Sequence, residues 1–304
     1  MFEKYNQQVY LVLECLPIVA KYKNFALKGG TAINMFLREQ YPRLSVDIDL
    51  CYLPLQPREE SMLGIEAGLL QIADNVQSEL GYKIEKNRNS ATKTITKLVV
   101  NNSKTNIKIE PNLILRSSIY PIAHMDLSKK VQGIYKRSVY NMPLVAKEEI
   151  YAGKICAALD RQHPRYLFDI KFILEEGISE RTKIAFLIYL ISNNRPMFEL
   201  LSPNRLDQSI IYQKEFVGMT DLEISYAEMV DIREQLISTM RNLLTDADKQ
   251  FLISVKEGVP NWQHINIEHV ANLPSIKWKI MNINKMDKHK SQEYLVNLEA
   301  ALYD

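Results

Sequence analysis

Apolar and polar positions recur with two different periods along the first 115 residues, and each switch of period predicts an element. Residues 5–21 carry apolar side chains at helical spacing, which predicts an amphipathic helix. Asn24 to Leu27 is a short apolar run ending at Lys28-Gly29-Gly30, a strand that stops at a tight turn. From Thr31 the stretch TAINMFLREQ puts Ile33, Phe36 and Leu37 on one side. It closes on Arg38, Glu39 and Gln40 before Pro42, which predicts a second helix. SVDIDLCYLPL then changes to period 2, with Val46, Ile48 and Leu50 on one face and Asp47, Asp49 and Cys51 on the other. That is the pattern of a half-buried strand.

Residues 57–80 return to helical spacing, with Glu59 and Glu60 in the first turn and Ile65, Leu69, Ile72 and Val76 following. Between 82 and 115, YKIEKN, ATKTITKLVV and NIKIEPNLIL read as strands, the last entered through the turn-like NNSK. The order helix, strand, helix, strand, helix and β-ribbon predicts a small α/β sheet too irregular for repeated parallel βαβ units. Beyond Pro143 the pattern is helical: KEEIYAGKICAALDRQ, YLFDIKFILEEG, RTKIAFLIYLISNN and two more helices in 222–257. Only 208–218 hints at a strand. A soft boundary near 145 therefore separates an α/β lobe (1–145) from a mainly helical lobe (146–304). With no repeat or low-complexity linker between them, a packed interface with a cleft is expected.

Composition narrows the function classes. The chain has 304 residues, 46% apolar and 24% charged, ordinary for a soluble globular protein. Lys and Arg number 38 against 36 Asp and Glu, so the net charge of +2 gives no global attraction to nucleic acid or membrane. No run approaches the ~18 apolar residues of a membrane span, and MFEKYNQQVYLVLECL is too polar for a signal peptide. Cys15, Cys51 and Cys156 have no metal-like spacing and read as buried thiols of a reducing compartment. His264 and His269 lack further ligands. A cytoplasmic protein is expected.

Four features can carry chemistry. Gly29-Gly30-Thr31 stands at a strand-to-helix turn, where the backbone can approach an anion and helix-start N–H groups face it. Ser45-x-Asp47-x-Asp49 points two carboxylates to one face of a strand, and a hard cation such as Mg²⁺ relieves their repulsion. Glu110, in NIKIEPN, becomes a third carboxylate if its strand lies beside the first. Lys147, Lys154 and Arg161 recur every seven residues as a basic stripe, followed by Arg165 and Asp169. Each also has a bland reading: a plain turn, a solvated acidic strand face, an exposed Lys/Glu face, a solvated basic face. Together they are the parts of phosphoryl or nucleotidyl transfer. The P-loop pattern and the G-x-S-x-G elbow are both missing from the sequence.

KGGTAINMFL, SVDIDL, NIKIEPN and KEEIYAGKICAALDRQHPRYLFDI, in that order, resemble the motifs of the AbiEii/AbiGii toxin family of nucleotidyltransferases, within the DNA polymerase β-type superfamily. The C-terminal LPSIKWKIMNINKM resembles that family's closing segment. The resemblance implies an α+β fold: a nucleotidyltransferase-like mixed-sheet lobe with flanking helices, then a mainly helical lobe completing the nucleotide cleft. It implies phosphate contacts at Gly30 and Thr31, to which the residue pattern adds Gly29, Ser45, Arg161 and Arg165 as nucleotide-binding candidates. It places Mg²⁺ on Asp47 and Asp49, with Glu110 a looser match. Lys154 matches a triphosphate-contacting lysine and Asp169 the acid downstream of it. One position departs: relatives often read R-D-x-x-D where this chain has Arg165-Tyr166-Leu167-Phe168-Asp169.

Members of this family are typically toxins of bacterial toxin–antitoxin or phage-defence pairs, with the antitoxin encoded separately. The resemblance thus implies transfer of a nucleotide from NTP to RNA, with the tRNA 3′ end as expected acceptor and no membrane partner. Transfer to a small molecule or a protein is the alternative, and an inactive nucleotide-binding pseudoenzyme, for which Tyr166 speaks, is the other.

Overall fold

The structure is a computed structural model and describes residues 3–90 and 92–303. By its contacts the chain divides into two units, Met1–Ile150 with Val217–Glu223, and Tyr151–Phe216 with Ile224–Asp304.

In chain order the first unit contains α1 (Glu3–Val19), β1 (Phe25–Lys28), α2 (residues 29–37), β2 (Ile48–Tyr52) and α3 (Arg58–Leu80). It continues through β3 (Lys83–Arg88), β4 (Ile95–Asn101), β5 (Asn106–Pro111), β6 (Ala123–Met125), α4 (Lys129–Tyr135) and β7 (Met142–Leu144). The strands form one mixed sheet in the order β3-β4-β5-β2-β1-β7-β6. β2 pairs antiparallel with β1 and parallel with β5, so the central strands come from distant parts of the chain. Helices α1 and α3 pack on each other and on β5 and β4. Leu11, Val12, Leu13, Cys15 and Leu16 are all at most 1% exposed, so α1 is buried well beyond one amphipathic stripe. The three cysteines are free and buried.

Three local outcomes differ from the periodicity. The helix predicted from Thr31 to Gln40 runs instead over residues 29–37, and its last six residues (Ala32–Leu37) are π-helical. The wider turn closes with Arg38 N–H donating to the Ile33 carbonyl, after which Arg38 is extended, well before Pro42. The strand predicted over SVDIDLCYLPL is shorter, Ile48–Tyr52, and Cys51 is buried rather than facing out with Asp49. The segment 208–218, read as a strand hint, is α-helical over Ser209–Ile211 and π-helical over Tyr212–Phe216. There Tyr212 stacks on Phe216 with ring centroids 5.6 Å apart, an i, i+4 contact that alternation alone cannot reveal.

The second unit is helical: most of α5 (Lys147–Arg161), then α6 (Pro164–Glu176), α7 (Glu180–Ile191), α8 (Met197–Leu201), α9 (Ser209–Ile211), α10 (Tyr226–Leu243), α11 (Asp246–Lys256), α12 (Pro274–Asn284) and α13 (Lys288–Tyr303). Residues 217–223 return to the first unit, where Leu44 N–H donates to the Met219 carbonyl at 2.7 Å and Thr220 Oγ1 to the Pro42 carbonyl at 2.6 Å. No helix among the described residues is long and apolar enough to cross a membrane.

Candidate active site

Strand β1 delivers the chain to Gly29, whose φ of +72° lies in the left-handed region that glycine tolerates at no steric cost. A Cβ there would collide with the Asp49 carboxylate, and one at Gly30 would come within 2.9 Å of both Arg43 Nη2 and Ser45 Oγ. The two glycines therefore let the helix start pass directly against the β2 entry. Thr31 fastens the contact: its hydroxyl lies 3.0 Å from Ser45 Oγ and donates to the Asp47 carbonyl at 2.5 Å. Asn34, one turn on, donates to the Gly30 carbonyl at 3.0 Å.

The sheet register adds the remaining charges. Lys28 is the antiparallel partner of Asp49, and Glu110 is its parallel partner on β5, so the three share one face of the sheet. Ile48 and Leu50 are buried on the opposite face, Asp49 is exposed and Asp47 half-buried. Glu110 Oε2 lies 3.9 Å from Lys97 Nζ, and its side chain is 51% exposed. Among the described residues no three His, Cys, Asp or Glu side chains gather as a metal cage. A pair of hard carboxylate oxygens beside a glycine-cleared space still fits Mg²⁺, which keeps several waters and takes one or two carboxylates.

Arg43 is the charged residue that motif reading passes over. It is 3% exposed, donates to the Leu44 carbonyl at 2.8 Å, and brings a second guanidinium nitrogen to the back of Gly30. A signal was present, since Arg43, Ser45, Asp47 and Asp49 continue one period-2 series through the strand entry.

In the second unit the lysine helix looks different from a solvated stripe. Lys147 and Arg161 are exposed, but Lys154 is 6% exposed and its Nζ lies 2.9 Å from Oδ2 of Asp169, itself 1% exposed. The Lys154 ammonium also lies 4.7 Å from the centre of the Tyr166 ring, whose hydroxyl accepts from Arg161 Nη1 at 3.2 Å. Tyr166, the departure in the block, is thus a lid on the buried pair. Arg165 and His163 both approach Glu215 Oε2, at 3.5 and 3.2 Å. His264, unassigned by spacing, lies 2.7 Å from Asp248 Oδ1, while Lys183 Nζ lies 3.0 Å from Asp248 Oδ2.

Comparison with known proteins follows the same line. A search of curated proteins finds no match. Among solved structures, the chain is similar to MenT4, the nucleotidyltransferase toxin Rv2826c from Mycobacterium tuberculosis H37Rv. That match has a TM-score of 0.63 at 13% identity, over 97% of this chain and 93% of that one, a likeness of fold. JHP933 from Helicobacter pylori matches with a TM-score of 0.43 at 15% identity, over 79% of this chain and 93% of that one. The family model described as nucleotidyl transferase AbiEii toxin, type IV toxin–antitoxin system, matches residues 11–276. With the glycine turn and the aspartate pair inside that span and a nucleotidyltransferase toxin's fold around them, the chain belongs to the AbiEii family of nucleotidyltransferase toxins.

Proposed function

We propose that this nucleotidyltransferase moves a nucleotide from NTP to an RNA acceptor, the 3′ end of tRNA, in the cytoplasm, and is held in check by a separately encoded antitoxin. The observation that carries the reading is the Thr31 bridge, which ties the glycine turn to Ser45 and to the backbone of Asp47. Phosphate-binding N–H groups and carboxylates are thereby fixed within one side chain of each other.

In this reading Asp47 and Asp49 would hold Mg²⁺, with Glu110 at the edge of the site. When bound, the ion neutralises phosphate charge and orients the attacking and leaving oxygens. The backbone of Gly29 and Gly30, with the first-turn N–H of Thr31, receives the departing phosphates, and the Ser45 hydroxyl and Arg43 guanidinium stand behind them. An acceptor hydroxyl attacks the α-phosphorus, and its new O–P bond forms as the bond to pyrophosphate breaks. In the second unit the buried Lys154–Asp169 pair joins α5 to α6, and Arg161 and Arg165, at the end of one helix and the start of the other, are assigned to phosphate oxygens.

The test is α-labelled NTP with total tRNA and Mg²⁺, comparing the wild type with Asp47→Ala/Asp49→Ala. Label on tRNA with the wild type alone supports the reading. Label on the protein itself points to protein modification, and no label with any of the four NTPs overturns turnover.

A further inference from the structure

The second unit contains a cavity of about 200 Å³ between the start of α8, the end of α11 and the helices α12 and α13. Two ammonium groups line it, on the buried Lys256 and the half-buried Lys279, and neither has a carboxylate partner among the described residues. Lys256 is 5% exposed, and its described polar contacts are the Met286 thioether at 3.4 Å and the Tyr294 ring at 5.2 Å. Lys279 donates to the carbonyls of Asn193 at 2.7 Å and Arg195 at 3.0 Å. An ammonium carries three N–H donors, and a thioether is a weak acceptor. Lys279 therefore keeps one donor and Lys256 effectively two, all at one cavity.

Burying cations without counter-charge is costly unless something anionic completes the site. Burial and the nearby Lys256 push the Lys279 ammonium down to about 8, and burial also lowers Lys256. Lys290, whose ammonium lies 5.4 Å from the Tyr294 ring, adds a third positive charge at the wall. Three cations with spare donors match a dianionic phosphomonoester better than a carboxylate. The other lining is aromatic. Tyr294 is occupied by Lys256 and Lys290 and by an edge-to-face contact with Phe198 at 5.4 Å, whereas Trp278 is 41% exposed and also lines the cavity. About 200 Å³ falls short of a whole drug-sized ligand, so the cavity would enclose the phosphate end and leave the ring at the rim.

We propose that this cavity binds a nucleoside 5′-monophosphate unit, phosphate on Lys256 and Lys279 and base on Trp278, either free or as the 5′ end of an RNA. This site lies wholly within the second unit, and its existence is independent of the transfer reaction proposed above.

The experiment titrates the full chain with AMP, GMP, CMP and UMP in EDTA, which silences any metal-dependent nucleotide binding, and follows calorimetry and tryptophan fluorescence. The chain has two tryptophans, so comparison with Trp278→Phe isolates the signal at the cavity. We expect at least one mononucleotide to bind below about 1 mM, and Lys256→Met to weaken it at least tenfold. Lys256→Met removes an unpaired buried charge at similar volume, and Trp278→Ala, on an exposed side chain, should weaken binding at least threefold. The matching nucleoside and inorganic phosphate should each bind at least tenfold more weakly. A 5′-phosphorylated trinucleotide that outcompetes the mononucleotide identifies an RNA end as the source, and the reverse order identifies a free nucleotide; both support the site. No binding by the wild type up to about 1 mM, or equal binding by wild type, Lys256→Met and Trp278→Ala, overturns it.

Discussion

Asp47 and Asp49 in the first unit and Lys154 and Asp169 in the second are charged pairs in opposite electrostatic circumstances. Asp49 is exposed and Asp47 half-buried at the start of β2, between buried apolar neighbours, and nothing described neutralises Asp47. Lys154 and Asp169 neutralise each other at 2.9 Å under a tyrosine ring. In the function proposed above, the first arrangement is the one that a Mg²⁺ ion would complete. The second is complete in itself, so its removal should be felt in stability before it is felt in chemistry.

Breaking the buried pair from one side should therefore have the largest effect. Asp169→Ala leaves Lys154 buried without its counter-charge and should cost about 3–5 kcal/mol in urea unfolding. Lys154→Met/Asp169→Leu, removing both charges together, should recover most of that loss. Asp49→Ala reverses the pattern: transfer activity should fall at least about 100-fold, while stability should change by no more than about 0.5 kcal/mol. Should Asp49→Ala instead destabilise as strongly as Asp169→Ala, the contrast fails.

Smaller effects sharpen the comparison. Gly29→Ala forces a side chain into the left-handed region and against the Asp49 carboxylate, so about 1–3 kcal/mol should be lost, together with NTP affinity. Asp248 offers a structural carboxylate that is titratable. Burial alone would raise it, but His264, the Thr245 N–H and hydroxyl, and Lys183 outweigh that and hold it below the usual carboxylate range. A depressed folded value stabilises above the unfolded value of about 3.9 and loses that contribution as pH falls through it. Asp248→Asn should thus be less stable than wild type at neutral pH, with the gap closing below about pH 4. Tyr166→Phe should have the least effect, about 1 kcal/mol or less, since the ring over Lys154 remains and only the Arg161 bond is lost.

Much of the first unit was legible because its signals are local. Period 2 marks β2, the paired glycines mark the turn, and Asn102, which accepts from the N–H groups of Lys104 and Thr105, makes the NNSK turn before β5. The Glu110–Asp49 register needed only the condition that β5 lie beside β2. What stayed hidden depends on contacts far along the chain. The return of Met219 to Leu44 leaves no trace in periodicity, and the π-helical turn of α2 is set by packing rather than composition. Spacing placed Lys147, Lys154 and Arg161 on one helix face but could not say that Asp169 and Tyr166 cover the middle one.

The central proposal is that Asp47 and Asp49 take a metal-bound nucleotide while the buried pair does not. Calorimetric titration of NTP into wild type, Asp49→Asn and the Lys154→Met/Asp169→Leu double variant, each with Mg²⁺ and with EDTA, tests it most directly. The account predicts that wild type binds NTP at least tenfold more tightly with Mg²⁺, that Asp49→Asn loses this gain, and that the double variant keeps it. A Mg²⁺ gain that survives in Asp49→Asn, or disappears in the double variant alone, would contradict it.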